Sequence, residues 1–76
     1  MTATERNELI RSLIYDYWAN KVNDKVWERE KSSLYYMSLG KLLGALMAFR
    51  LDMEEDEKGI TIRTQDSNRT VLRYEF

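Results

Sequence analysis

Apolar residues recur three and four positions apart through most of the chain, then switch to alternation near its end. Leu9, Ile10, Leu13, Ile14, Tyr17 and Trp18 share one helical face and predict a first helix over about residues 4–19. Thr2 precedes Glu5 by the spacing of a capping box, in which each side chain reaches the other residue's backbone N–H. Asn20, Asn23 and Asp24 interrupt the period and predict a break near 20–23, with Asn23 able to cap a short second helix through Val26 and Trp27. Ser32 or Ser33 can cap the helix that follows. Tyr35, Leu39, Leu42, Leu46, Phe49 and Met53 then alternate four and three apart, predicting a long central helix over about residues 33–54. The run "EEDEKG" ends it, with Gly59 suited to a chain reversal.

The tail changes period. "GITIRT" and "TVLRYEF" alternate around the polar "QDSNR", which predicts an antiparallel β-hairpin with strands at about 60–64 and 70–76. Ile60, Ile62, Leu72, Tyr74 and Phe76 belong to one face; Thr61, Arg63, Val71, Arg73 and Glu75 belong to the other. A lone hairpin is marginal in water, so its apolar face must lie on the helices. The expected fold is α+β: two or three N-terminal helices and a C-terminal hairpin, in a single small domain over 1–76.

The central helix carries more apolar surface than one neighbour can cover. At about 100° per residue, Ser38, Lys41, Ala45, Ala48, Asp52 and Glu55 form a wet arc of roughly 100°, and the remaining ~240° is apolar apart from Arg50. Gly40, Gly44, Met47 and Leu51 make a candidate helix-contact strip within that apolar arc. A helix-interior glycine costs about 1 kcal/mol against alanine, and two of them one turn apart point to a second backbone passing close. The first helix also has an apolar arc of about 180°. Either the short middle helix and the hairpin cover this excess, or part of it is a partner interface.

Composition narrows the chemistry. A chain of 76 residues makes one domain with a small core. It holds no cysteine and no histidine, so disulfides, thiolate metal sites and imidazole catalysis are excluded. Small scaffolds lacking such staples commonly associate with another subunit. With 43% hydrophobic and 33% charged residues, the chain has a foldable soluble mixture. Its net charge of −1 gives no global pull toward nucleic acid or anionic lipid. The start is charged at Glu5, Arg6 and Glu8 and unlike a secretory signal, and the apolar run Leu42 to Phe49 is far short of the ~20 residues a membrane span needs. A cytoplasmic protein is expected.

Candidate chemical motifs are weak. Ser38-Leu39-Gly40-Lys41 matches S-x-x-K, but its companion motifs are absent. Glu54, Glu55, Asp56 and Glu57 point in different directions on a helix and miss the spacing of a calcium loop: starting from Asp52, the glycine position holds Glu57 and the last acid position holds Arg63. They read as the solvated end of the helix, or as an acidic patch for a basic partner. Lys21, Lys25 and Arg29 form a stripe balanced by Asp24 and Glu28. The dense aromatic residues, among them Trp18, Trp27, Tyr35 and Tyr36, suit an interface or a core equally.

No enzyme, metal or cofactor is expected from these residues, and no small-molecule substrate is evident. The leading expectation is a small protein-interaction module: a homodimeric adaptor, regulator or inhibitor that docks on itself or on another, unidentified protein. The alternative is a winged-helix-like nucleic-acid-binding regulator that contacts phosphates through Arg63, Arg69 and Arg73. The long helix counts against it, because it offers few of the side chains that read base edges.

Overall fold

The computed structural model describes residues 1–26 and 33–76. Two helices, α1 (Ala3–Val26) and α2 (Ser33–Ala48), precede three strands: β1 (Leu51–Glu55), β2 (Gly59–Thr64) and β3 (Thr70–Glu75). The strands form one antiparallel sheet in the order β1-β2-β3. The α+β class and the C-terminal hairpin are as expected; the hairpin is two strands of a three-stranded sheet.

The start of α1 follows its sequence signature. The Thr2 hydroxyl accepts from the Glu5 backbone N–H at 3.1 Å, and the Glu5 carboxylate accepts from the Thr2 backbone N–H at 3.4 Å and from the Thr2 hydroxyl at 3.0 Å. The expected break near 20–23 does not occur. α1 runs unbroken to Val26, so Asn23 lies within it and caps no new helix, and the Asn20 amide donates back to the Asp16 carbonyl at 3.0 Å. Trp27, Arg29 and Ser32, and with them the rest of the expected middle helix, lie outside the described residues; α2 begins at Ser33.

The expected helix over 33–54 is corrected to a helix and a strand. α2 stops at Ala48, and Arg50 takes the left-handed conformation (φ 57°) that reverses the chain, its N–H donating to the Met47 carbonyl at 3.1 Å. Residues 51–55 then pair with β2, from Leu51 opposite Thr64 to Glu55 opposite Ile60. Phe49 and Met53 fit a helical seam, but Leu51 and Met53 equally fit alternation, with Asp52 and Glu54 outward. Charge favours the strand. Carboxylates at a helix C-terminus oppose its dipole, whereas on β1 Glu54 forms an ion pair with Arg63 of β2.

The core lies between the helices and the inner sheet face. Ile10, Ile14 and Tyr17 of α1, Tyr35, Leu42 and Leu46 of α2, and Leu51, Ile60, Ile62 and Leu72 of the sheet are buried together. Val71, expected on the outer face, is the extra residue of a bulge: Ile62 faces Leu72, Arg63 faces Thr70, and Val71 is half-buried against the core. Ser38, expected on the wet arc of α2, is buried and donates to the Tyr35 carbonyl at 2.8 Å.

Gly59 opens β2 and is required for close approach, because a Cβ there would stand 2.0 Å from the Tyr74 carbonyl oxygen of β3. Gly59→Ala should destabilise the protein by about 1–3 kcal/mol or more in urea titrations. Arg50→Gly should act in the opposite sense, raising stability by about 0.5–1 kcal/mol, since glycine adopts the left-handed conformation without a Cβ clash. An unchanged or lower melting temperature for Arg50→Gly would contradict this reading of the turn.

Candidate docking surface

Packing α2 onto α1 and the sheet uses only one of its sides. Tyr35, Ser38, Leu42 and Leu46 are buried, with Leu39 half-buried beside them. The opposite half of the helix, an arc of about 180° at 100° per residue, faces outward and is largely apolar. Leu34, Tyr36, Met37, Leu43 and Met47 are all exposed there, Met47 to 73% and Tyr36 to 61%. Lys41 is the charged residue on this arc. No apolar element of the described chain covers it.

Gly40 and Gly44 sit in the middle of this surface. A Cβ built on either has nothing within 4 Å, so neither glycine is there to admit a neighbour from among the described residues. Tyr36, Gly40, Leu43, Gly44 and Met47 therefore make a shallow notch with large side chains at its rim. Of the four residues expected on the contact strip, Gly40, Gly44 and Met47 lie together on this face. Leu51 does not: it is the first residue of β1 and is buried in the core, because the helix on which the strip was drawn ends three residues earlier.

The hairpin arginines occupy a different environment. Arg63 is ion-paired with Glu54. Arg73 reaches across the sheet to the turn between β1 and β2, where its Nη1 and Nη2 donate to the two carboxylate oxygens of Asp56 at 2.8 and 3.0 Å. It also donates to the Thr61 hydroxyl at 2.8 Å and to Glu75 at 3.2 Å. Arg69 is exposed in the turn between β2 and β3. Two of the three candidate phosphate contacts are thus held by carboxylates of the sheet itself. Glu54 and Asp56 belong to the acidic run 54–57, which is therefore a strand end and a turn instead of a frayed helix end.

Within the acidic run, Glu55 accepts from the Tyr17 hydroxyl at 2.6 Å and is ion-paired with Lys21. Trp18 stacks on Phe76 beside it, with ring centroids 5.8 Å apart and planes inclined by 19°. No group of three or more acidic side chains among the described residues comes together as a metal ion would require. No helix among them is long and apolar enough to cross a membrane.

The sequence places wide apolar arcs on both helices, and the exposed apolar side chains on α2 include Leu34, Met37 and Leu43, which the sequence reading did not single out. Their outward position depends on how α2 is rotated about its axis, and a nearly all-apolar helix carries little information about that. Comparison with protein-family models, with curated proteins and with solved structures finds no match to this chain.

The Asp56 carboxyl is held well below its ordinary value of 3.8, chiefly by the Arg73 guanidinium and then by the backbone N–H groups of Lys58 and Gly59. A depressed folded-state pKa contributes stability that is present above about pH 4 and is lost as the pH falls toward the folded value. Asp56→Asn should therefore narrow the gap between the urea midpoints at pH 7 and pH 3. Equal gaps in the two proteins would show that the Arg73 pair contributes nothing to acid sensitivity.

Proposed function

We propose that this protein is a small, non-enzymatic interaction module that docks through the outward face of α2, and that the partner on this face is a second copy of the same chain. The observation that carries the reading is the exposed, nearly uncharged arc of α2 from Leu34 to Met47, where Leu34, Tyr36, Met37, Leu43 and Met47 stand in water together. Soluble monomers rarely leave a contiguous apolar patch of this kind to water.

A second copy fits for two reasons. A two-fold axis through the Gly40–Gly44 notch brings each helix's notch against the other, so that backbones approach closely and Tyr36, Leu43 and Met47 interdigitate at the rim. With Lys41 as the charged residue on the arc, like-charge repulsion across the axis is small and easily relieved by its long stem. The same surface in another protein's groove would make the module an adaptor or inhibitor. In this reading the protein works in the cytoplasm, without a cofactor. A nucleic-acid role for the hairpin is disfavoured by the carboxylate partners of Arg63 and Arg73.

Light scattering should report a dimer for the native chain and a monomer for Met47→Lys, which places a charge at the most exposed large apolar side chain of α2 without touching the core. Gly44→Leu separates the alternatives. On an open helix face leucine is the better helix former and should raise stability by most of about 1 kcal/mol. At a close helix contact it should lower stability by about 1–3 kcal/mol and dissociate the dimer. A native monomer at millimolar concentration, with Gly44→Leu melting higher, would overturn the proposal.

A further inference from the structure

A cleft among the described residues lies away from the outward face of α2. It has a volume of about 670 Å³ and is lined by Arg6 of α1, Phe49 and Arg50 of the turn after α2, Leu51, and Thr64, Gln65 and Asp66 where β2 enters its hairpin. Three segments distant in sequence meet here. The Gln65 N–H donates to the Arg50 carbonyl at 3.2 Å, and the Gln65 amide donates to the Leu51 carbonyl at 3.4 Å, which ties the hairpin to the turn and fixes the floor of the cleft.

Two features bear on what this cleft holds. First, Arg6 and Arg50 both line it, against one carboxylate, Asp66. The Arg6 guanidinium is half-buried and bonds only to the neighbouring Asn7 amide oxygen, at 3.1 and 3.2 Å. Neither Arg6 nor Arg50 is in an ion pair among the described residues, in contrast with Arg63 and Arg73. A half-buried guanidinium without a counter-charge is costly and is relieved by an anion. Second, Arg50 stands at φ 57°, where glycine is the ordinary helix terminator. Holding an arginine in that conformation sacrifices stability, and such an outlier next to a cleft points to a use for its side chain.

We infer that this cleft binds a small organic oxyanion, a phosphate or carboxylate carried on an apolar body. The oxyanion is held by the Arg6 and Arg50 guanidinium groups, and the apolar body lies on Phe49. Guanidinium groups recognise both oxyanions through paired N–H donors, so the geometry assigns the charge and shape of the ligand and leaves its acid group to experiment. The inference does not rest on the α2 docking surface, and the two fail separately.

The test is an NMR titration of the full chain, at constant ionic strength, with inorganic phosphate, phenyl phosphate and benzoate. Saturable shifts are expected at the amides of Arg50, Leu51, Gln65 and Asp66, with an aromatic probe binding more tightly than inorganic phosphate. Comparing phenyl phosphate with benzoate then identifies the preferred acid group. Arg6→Gln and Arg50→Gly should each weaken binding by about tenfold, the loss of one charge-assisted hydrogen bond. Because Arg50→Gly is expected to fold at least as stably as the native chain, its loss of affinity cannot be put down to unfolding. Linear shifts that do not saturate, shifts of equal size around Arg63, Arg69 and Arg73, or titrations unchanged in both variants would overturn the inference.

Discussion

A single buried layer, between two helices and one face of a three-stranded sheet, is the constraint on which every other feature depends. Ile10, Ile14, Leu42, Ile60 and Ile62 are fully enclosed there. A two-layer domain gives each helix one covered side and each strand one covered face. The other faces are left to water, and two of them differ in character. The outer face of the sheet carries Glu54, Arg63 and Arg73, which satisfy one another and the Asp56 turn. The outer face of α2 carries Tyr36, Met37, Leu43 and Met47, which water cannot satisfy. The first surface is complete as it stands, and the second gains by being covered.

A core this small leaves little margin, so polar ties at its rim matter. Tyr17 belongs to the core, yet its hydroxyl reaches the β1 carboxylate of Glu55, whose other oxygen meets Lys21 from the next turn of α1. The tie holds α1 to the edge strand at the end remote from Leu51. Burial raises the pKa of Tyr17, with the hydrogen bond to Glu55 next in weight. That contribution to stability is complete below the ordinary tyrosine value of 10.0 and is lost as the pH rises above it. Glu55 occupies an inward position of β1, and this carboxylate is tolerated because two donors meet it there.

Local signals were the legible ones. The Thr2–Glu5 box and the alternation flanking "QDSNR" each depend on residues within a few positions of one another; the box appears as read, and the alternation appears with a bulge at Val71. What failed depends on contacts between distant segments. Residues 49–55 suit a helix by the spacing of Phe49 and Met53 and a strand by that of Leu51 and Met53; pairing with Ile60, Ile62 and Arg63 decides for the strand. Asn20 and Asn23 break helices in isolation, but α1 is carried past them, with Lys21 held by Glu55. The facing of α2 was hidden for a related reason. With apolar residues over most of its circumference, only the positions of α1 and β1 determine that Ser38 turns in and Met47 turns out.

Whether the outward face of α2 meets a second copy is tested most directly by isotope-filtered NOE spectroscopy on a mixture of carbon-13-labelled and unlabelled chains. Close contact across a two-fold axis requires cross-peaks from the Met37 and Met47 methyl groups of one copy to Tyr36 and Leu43 protons of the other. A millimolar sample with no intermolecular cross-peaks, or with cross-peaks confined to the outer sheet face around Thr61 and Arg73, would contradict it.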